Sequence, residues 1–410
     1  MADLMPADRL STVEEHVERI VTSIRPLPPY DQPLLEAIGL SVCEPITASI
    51  DLPSFDNSAM DGYAVYFDDV ATASEDRPVH LPVVGEMAAG QTRLFALSPG
   101  TTVRIMTGAP VPHGADAVVP IEWTDGGVAH VRITRAPERG QHVRAQGEDV
   151  RVGDVLLEEG RVLGPRQLGL VASVGRAQVR ARPRPRVVII STGAELREPG
   201  TSLGHDSIYD GNSFMLAAAA RDAGAIAYRV GIVSDDPNQF QDALSDQLVR
   251  ADLVVTSGGV SKGAHDVVKE VLTGVGTVSF GEVAMQPGMP QGFGTLGPDD
   301  TPLFTLPGNP VSAYVSFLLF VAPALAKLQD LPAERQRPLT AALTDPVRSP
   351  DGRRSYLRGV LDDARETVVP LTGQSSHQLG ALAQANALII VPEQITRLEA
   401  GAAVDVMCLP

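Results

Sequence analysis

The sequence predicts a multidomain chain of α/β plus β class, with a β-rich region, a doubly wound parallel-sheet region and a small C-terminal β-barrel or sandwich. Three observations predict it. The first is length: 410 residues exceed the ~250–300 at which a single core stops growing. The second is a βαβα alternation through the middle of the chain, which needs a parallel sheet covered by helices on both faces. The third is two stretches of short β-branched runs punctuated by Gly and Pro, one before that alternation and one after it.

The elements follow in order. Residues 11–24 carry Val13, Val17, Ile20, Val21 and Ile24 at helical spacing, and Ser11 or Thr12 can cap that helix. The pair Pro28 and Pro29 ends it. Runs at 79–84, 101–105, 117–121 and 128–133 read as strands of a small β-rich domain, and a short helix is expected over 165–173. A Pro- and Arg-rich hinge at 182–186 precedes RVVIISTG, an apolar run typical of a buried parallel strand. Helices at 213–223 and 237–249 then alternate with strands at 225–233 and 253–257, with Asp236 as N-cap and Pro237 at the first helical position. A helix at 266–272, strands at 278–285 and 303–306, and a long helix after Asn309 complete this region. Beyond residue 330, short strands are expected at 339–347, 355–361, 367–371, 388–391 and 403–407.

Composition narrows the function classes. Lys plus Arg is 33 and Asp plus Glu is 50, a net charge of −17. That balance argues against a general nucleic-acid binder, whose affinity rests on cations neutralising phosphates. Two distant cysteines, Cys43 and Cys408, suggest neither a zinc site nor a disulfide framework. No basic segment followed by an apolar run opens the chain, so no secretory leader is expected and the cytosol is the default compartment. The longest apolar stretch, 311–326, is short of the ~20 residues that span a bilayer and contains Pro323, so no membrane partner is expected.

Five short segments carry groups suited to chemistry. FDNSAMDGY, at 55–63, puts Asp61 among oxygen-bearing residues that can ligate Mg²⁺ or form ordinary turns. RIMTGAP, at 104–110, offers the Thr107 hydroxyl in a Gly–Pro turn. STGAEL, at 191–196, places Glu195 where ligands bind at the carboxyl end of a parallel strand, or where a plain turn would sit. TSGGVSKGAHD, at 256–266, follows a strand and precedes a helix. Ser257, Gly258, Gly259, Ser261 and Lys262 there resemble a phosphate cradle, though not the loop of P-loop ATPases. LPGNPVS, at 306–312, holds Pro307, Gly308 and Asn309, with Asn309 and Pro310 capping a helix whose N-terminus is also an anion site. Asp149 in GEDV and Asp210 in IYDGN lie beside Gly and suit turns as well as ligation. Trp123 reads as core, and His265 and His377 as solvent-facing loop residues.

Taken in order, FDNSAMDGYA, RIMTGAPVP, GED, STGAEL, IYDGN, SGGVSKGAHD, LPGNPVS and the late YLRG resemble the molybdopterin molybdenumtransferase family, which includes bacterial MoeA and the C-terminal domain of gephyrin. The resemblance implies a segmented linker domain at 1–50 and 143–181, an inserted β-rich domain at 51–142, an adenylyltransferase-like α/β domain at 182–330 and a barrel at 331–410. It implies insertion of molybdate, as substrate, into adenylylated molybdopterin in a Mg²⁺-dependent reaction that releases AMP and molybdenum cofactor. It also implies a homodimer with a composite active site, and contact with the molybdopterin adenylyltransferase. By matching motif, Asp61, Thr107, Glu195 and Asp266 would be catalytic, and Asp61, Asp149, Glu195, Asp210 and Asp266 would serve Mg²⁺. The Gly258–Gly259 loop would hold phosphate, while Arg358 and Ser376 would face the cleft from the barrel.

One segment departs from the family pattern. Where the family often carries lysines, 280–290 reads FGEVAMQPGMP, with Glu282, Gln286 and Met289 in their place. Lys262, His265, Arg353, Arg354 or Arg358 could restore the charge. The alternatives to a full transferase are a weakly active or non-catalytic scaffold paralogue and a molybdopterin adenylyltransferase. The second would not need the surrounding domains.

Overall fold

The computed structural model describes residues 10–90, 96–260, 267–275, 277–331 and 338–410. It divides into two compact units. The first comprises Asp31–Ile38 and Val42–Arg180, and the second the chain up to Tyr30, Gly39–Ser41 and Ala181–Pro410.

In the second unit, helix α1 (Val13–Ser23) begins as read: Thr12 and Glu15 form a reciprocal capping box. In the first unit, a five-stranded sheet runs in the order β4–β1–β3–β2–β5. Its strands are β1 (Gly62–Val65), β2 (Val79–Met87), β3 (Thr102–Ile105), β4 (Ala117–Pro120) and β5 (His130–Ile133). Alternation sends Tyr63, Val65, Val119 and Val131 to one core and Ala64, Val103, Ile105 and Val118 to another. Gly62 is obligatory, because a Cβ there would lie 2.0 Å from the Val119 carbonyl oxygen. Helix α2 (Pro165–Ser173) occupies the predicted residues, with Pro165 opening it.

The second unit holds a six-stranded sheet of order β7–β6–β8–β11–β10–β9. These are β6 (Arg186–Thr192), β7 (Ile226–Val233), β8 (Leu253–Ser257), β9 (Ser279–Glu282), β10 (Pro290–Leu296) and β11 (Thr301–Leu306). β7, β6, β8 and β11 are mutually parallel, as the apolar runs require. Helix α3 (Asn212–Asp222) and α6 (Pro310–Ser316) cover one face. Helix α4 (Pro237–Leu248) and α5 (Val267–Val275) cover the other. Asp236 caps α4 by accepting the Gln239 N–H, ahead of Pro237.

Two details of this sheet differ from the sequence reading. The expected strand at 278–285 divides: β9 ends at Glu282, and Met285–Gln286 leaves the sheet to pair with Arg354 and Ser355. β10 was not foreseen and is antiparallel to both β9 and β11. Its glycines answer to close packing: a Cβ at Gly294 would lie 2.4 Å from the Thr277 carbonyl oxygen. The edge strand packs too closely there for any side chain.

The long helix is continuous but changes pitch: α6 passes through a π-helical turn (Phe317–Val321) into α7 (Ala322–Leu328). Pro323 offers no N–H, and a local register change accommodates that loss. Residues Pro310–Leu328 are long and apolar enough to cross a membrane, but 78% of that window is buried as a core helix. Finally β12 (Leu339–Leu343), β13 (Arg354–Leu361), β14 (Thr367–Pro370), β15 (Ala387–Val391) and β16 (Ala403–Cys408) close a ring in the order β13–β14–β12–β16–β15–β13. The expected C-terminal barrel is therefore present, with Leu343, Val368, Ile389 and Val406 among its core.

Candidate functional site

In the first unit, FDNSAMDGY and RIMTGAP meet. Asp61 Oδ1 accepts both the backbone N–H and the hydroxyl of Thr107, each at 2.7 Å. The backbones are laced alongside: Gly108 N–H donates to Ser58 O and Ser58 N–H to Ala109 O. Gly108, at φ +79°, makes the turn that aims Thr107 back at Asp61. The Thr107 N–H, then its hydroxyl and the Arg104 charge, hold the Asp61 carboxyl below the usual carboxylate range. Both residues are exposed, so this is a presented anion rather than a buried one. Asp149 is also exposed, and its backbone N–H donates to Leu52 O.

In the second unit, a cavity of about 190 Å³ opens at the carboxyl ends of β6 and β8. Ser191, Glu195, Asp210, Asn212, Ser257, Gly258 and Gly308 line it, which brings together four of the motifs. Asn212 is the tie: its Nδ2 donates to Ser257 Oγ at 2.9 Å and to Gly308 O at 2.7 Å. Gly258 and Gly259 have φ of +97° and +81°, a left-handed turn that glycine permits. The Ser191 hydroxyl is buried and lacks a partner among the described residues. Asp235, not singled out from the sequence, accepts the Ala194 N–H at 2.8 Å and so anchors the STGAEL loop.

Asp210 is only 2% exposed. Its Oδ1 accepts the Ser213 N–H and its Oδ2 the Ser213 hydroxyl, at 3.1 and 2.6 Å. Arg229 stands behind it, donating from Nε to Ser213 Oγ at 2.7 Å and from Nη2 to Glu198 at 3.1 Å. No motif marked Arg229 or Ser213; an arginine in the middle of a β-run was the only trace.

The capping expectation for Asn309 is corrected. Its backbone caps α6, but its side chain makes no cap bond and instead donates to Ser376 Oγ at 3.0 Å. Pro307 is buried and Gly308 exposed in the same turn. Arg358, expected to face a cleft, is fully buried. Its Nη2 donates to Gly373 O and Ser375 O, while Nε and Nη1 have no partner among the described residues. Burial lowers its pKa. It therefore braces the loop carrying Ser376 from the face of β13 opposite the barrel core, the face it shares with Tyr356 and Leu388. Ser261, Lys262, His265 and Asp266 lie outside the described residues.

The departures are also placed. Glu282 ends β9, Gln286 is exposed on the segment paired with β13, and Met289 accepts the Val283 N–H through its carbonyl. Arg354 is engaged by Glu14 and Glu393, which makes it a poor substitute for a missing lysine.

Among the described residues, no group of three or more His, Cys, Asp or Glu can hold a metal ion. An all-protein cage is thus absent from them. Glu195 and Asp210 do line one cavity beside a glycine turn. That pairing fits Mg²⁺, which keeps several waters and binds through one or two carboxylates plus substrate phosphates.

Family models match in three consecutive blocks: MoeA N-terminal region (domain I and II) over 11–175, probable molybdopterin binding domain over 188–327, and MoeA C-terminal region (domain IV) over 340–409. Molybdopterin molybdenumtransferase 2 of Mycobacterium tuberculosis is 45% identical, covering 97% of this chain and 99% of its own. Molybdopterin molybdenumtransferase of Haemophilus influenzae is 37% identical over 91% of this chain and 92% of its own. A crystal structure of the molybdopterin biosynthesis MoeA protein from Pyrococcus horikosii superposes with a TM-score of 0.82 at 31% identity, covering 98% of this chain and 99% of that one. The match therefore spans all three blocks at once, and the chain belongs to the MoeA family of molybdopterin molybdenumtransferases, enzymes of molybdenum cofactor biosynthesis.

Proposed function

We propose that this chain inserts molybdate into adenylylated molybdopterin with Mg²⁺, releasing AMP and molybdenum cofactor. One observation carries the reading: Asn212 ties Ser257 and the Gly308 carbonyl together in the lining of the same cavity as Glu195 and Asp210. Such a cavity needs a cation before it can take a phosphate, because its acidic side chains would otherwise repel one. Glu195 and Asp210 would hold Mg²⁺ there. When bound, it would neutralise charge on the phosphoanhydride.

The chain's own residues do the rest. The Gly258–Gly259 turn lets backbone approach a phosphate closely. The N-terminus of α3, beginning at Asn212, adds a favourable field for an anion. Asp61 would act as the presented carboxylate of its own unit, with Thr107 fixing the rotamer. Positioning and electrostatics should supply most of the rate, since the reaction moves negative charge at both the dithiolene and the phosphate. The proposal includes a homodimer that completes the site, contact with the adenylyltransferase that supplies the substrate, and a cytosolic setting. All three are supported by the family resemblance.

A single-turnover assay tests it. The purified chain, adenylylated molybdopterin, molybdate and Mg²⁺ should give molybdate-dependent AMP release. The substitutions at Glu282, Gln286 and Met289 favour a second reading, a binding protein with little turnover. Under that reading AMP plus Mg²⁺ would raise the melting temperature without any release.

A further inference from the structure

We propose that Arg229 is a positioning residue that sets the spacing of the two cavity carboxylates, Glu195 and Asp210. The inference rests on the reading that these carboxylates serve the reaction.

The geometry runs in one direction. The Ser213 hydroxyl has one proton and spends it on Asp210 Oδ2 at 2.6 Å. Its oxygen must therefore accept at 2.7 Å from Arg229 Nε, so the relay reads Arg229 to Ser213 to Asp210. Arg229 Nη2 also lies 3.8 Å from Asp210 Oδ2. A carboxylate as buried as Asp210 is costly without a counter-charge, and Arg229 is the cation paired with it.

The other end of the guanidinium holds Glu198 through both carboxylate oxygens, at 3.1 and 3.2 Å. Glu198 directly follows the Leu196–Arg197 strand, which pairs in parallel with Ile208–Tyr209. Glu195 precedes that pair and Asp210 follows it, so Arg229 clamps the small ladder separating the two cavity acids. The guanidinium stacks on the Phe214 ring at 3.5 Å, which fixes its plane. A lysine could supply the charge but not the fork.

The test compares R229M, R229K, S213A and D210N with R186M, which removes an ion pair to Asp252 on the same sheet. Two quantities are read. One is the Mg²⁺ concentration giving half-maximal AMP release. The other is the Mg²⁺ needed to raise the melting temperature in the presence of AMP. R229M should raise both by about tenfold or more, the usual effect of removing a partner that orients a ligand-bearing side chain. R229K should recover part of the loss, S213A should show a smaller rise, and R186M none. S213A keeps the cation in place, so it still decides the matter where R229M fails to fold. Wild-type Mg²⁺ dependence in R229M and S213A, with D210N impaired, would overturn the positioning role alone. Wild-type dependence in D210N would overturn the site reading, and this proposal with it.

Discussion

Each of the two units contains an arginine that bridges two acids while lying on a phenylalanine ring. In the first unit Arg139 joins Asp68 and Asp116 over Phe67, at 4.9 Å from the ring centre. In the second Arg229 joins Glu198 and Asp210 over Phe214. The arrangements look alike, and burial separates them. The Arg139 side chain is 57% exposed and Asp68 81%, whereas Arg229 is 23% exposed and Asp210 2%. Water screens the first cluster, so its attraction is weak. In the second, removing one partner strands a buried charge. A contact list alone would rank the two clamps as equals.

The largest effect expected from this rule concerns a buried group kept neutral. His16 is pushed down from 6.5 to about 3, chiefly by burial and also by the nearby Arg19 charge. Its ring packs edge-on to Phe320, and its Nδ1 accepts from Arg19. A depressed folded pKa means the unfolded chain takes up a proton that the folded chain refuses. Stability is thus intact above pH 6.5 and declines as pH falls towards 3, by roughly 3–5 kcal/mol in all. Urea midpoints measured from pH 7 to 4 should fall less steeply in H16Q. Equal slopes would break the argument that burial sets the value of a charge.

The next effect is R229M, which should lower the stability of its unit by about 2–3 kcal/mol, somewhat below a fully buried pair because Arg229 keeps some water contact. In a double-mutant cycle with D210N, the combined loss should be clearly less than the sum. Additive losses would mean that the two residues do not share one interaction.

R139M should cost no more than about 0.5 kcal/mol, and less in high salt. A loss as large as that of R229M would erase the contrast. The smallest effect is T107V. Removing the hydroxyl should let the exposed Asp61 carboxyl rise part of the way towards its ordinary range, with the Thr107 backbone bond retained. An NMR titration reads this directly, and an unchanged carboxyl would show that the hydroxyl does not stabilise the anion.

Much of the fold was legible wherever punctuation was local. Residues 165–173 and 253–257 coincide with α2 and β8, because Pro, Gly and apolar runs mark their ends within a few residues. β10 was not legible, since its Gly292 and Gly294 answer to Phe280, Thr305 and Thr277 rather than to their neighbours in sequence. The site was legible as a set of motifs. Asp61 with Thr107, and Asn212 with Ser257 and Gly308, are bonds between segments already noticed. Arg229 was missed because a lone arginine on a strand has no pattern.

By itself, then, the sequence determined most of the elements, their order and the family. Capping, periodicity and motif succession are all written within short windows of chain. Only the tertiary structure decided where the polar side chains spend their bonds. Asn309 turned from its own helix to Ser376, Arg358 is buried on the face of β13 away from the barrel core to hold the 373–376 loop, and Arg229 reached across to Ser213 and Glu198. The physical reason is distance. A cap bond joins residues a few positions apart and can be read locally, but a bond between remote segments exists only after packing has brought both ends within about 3 Å.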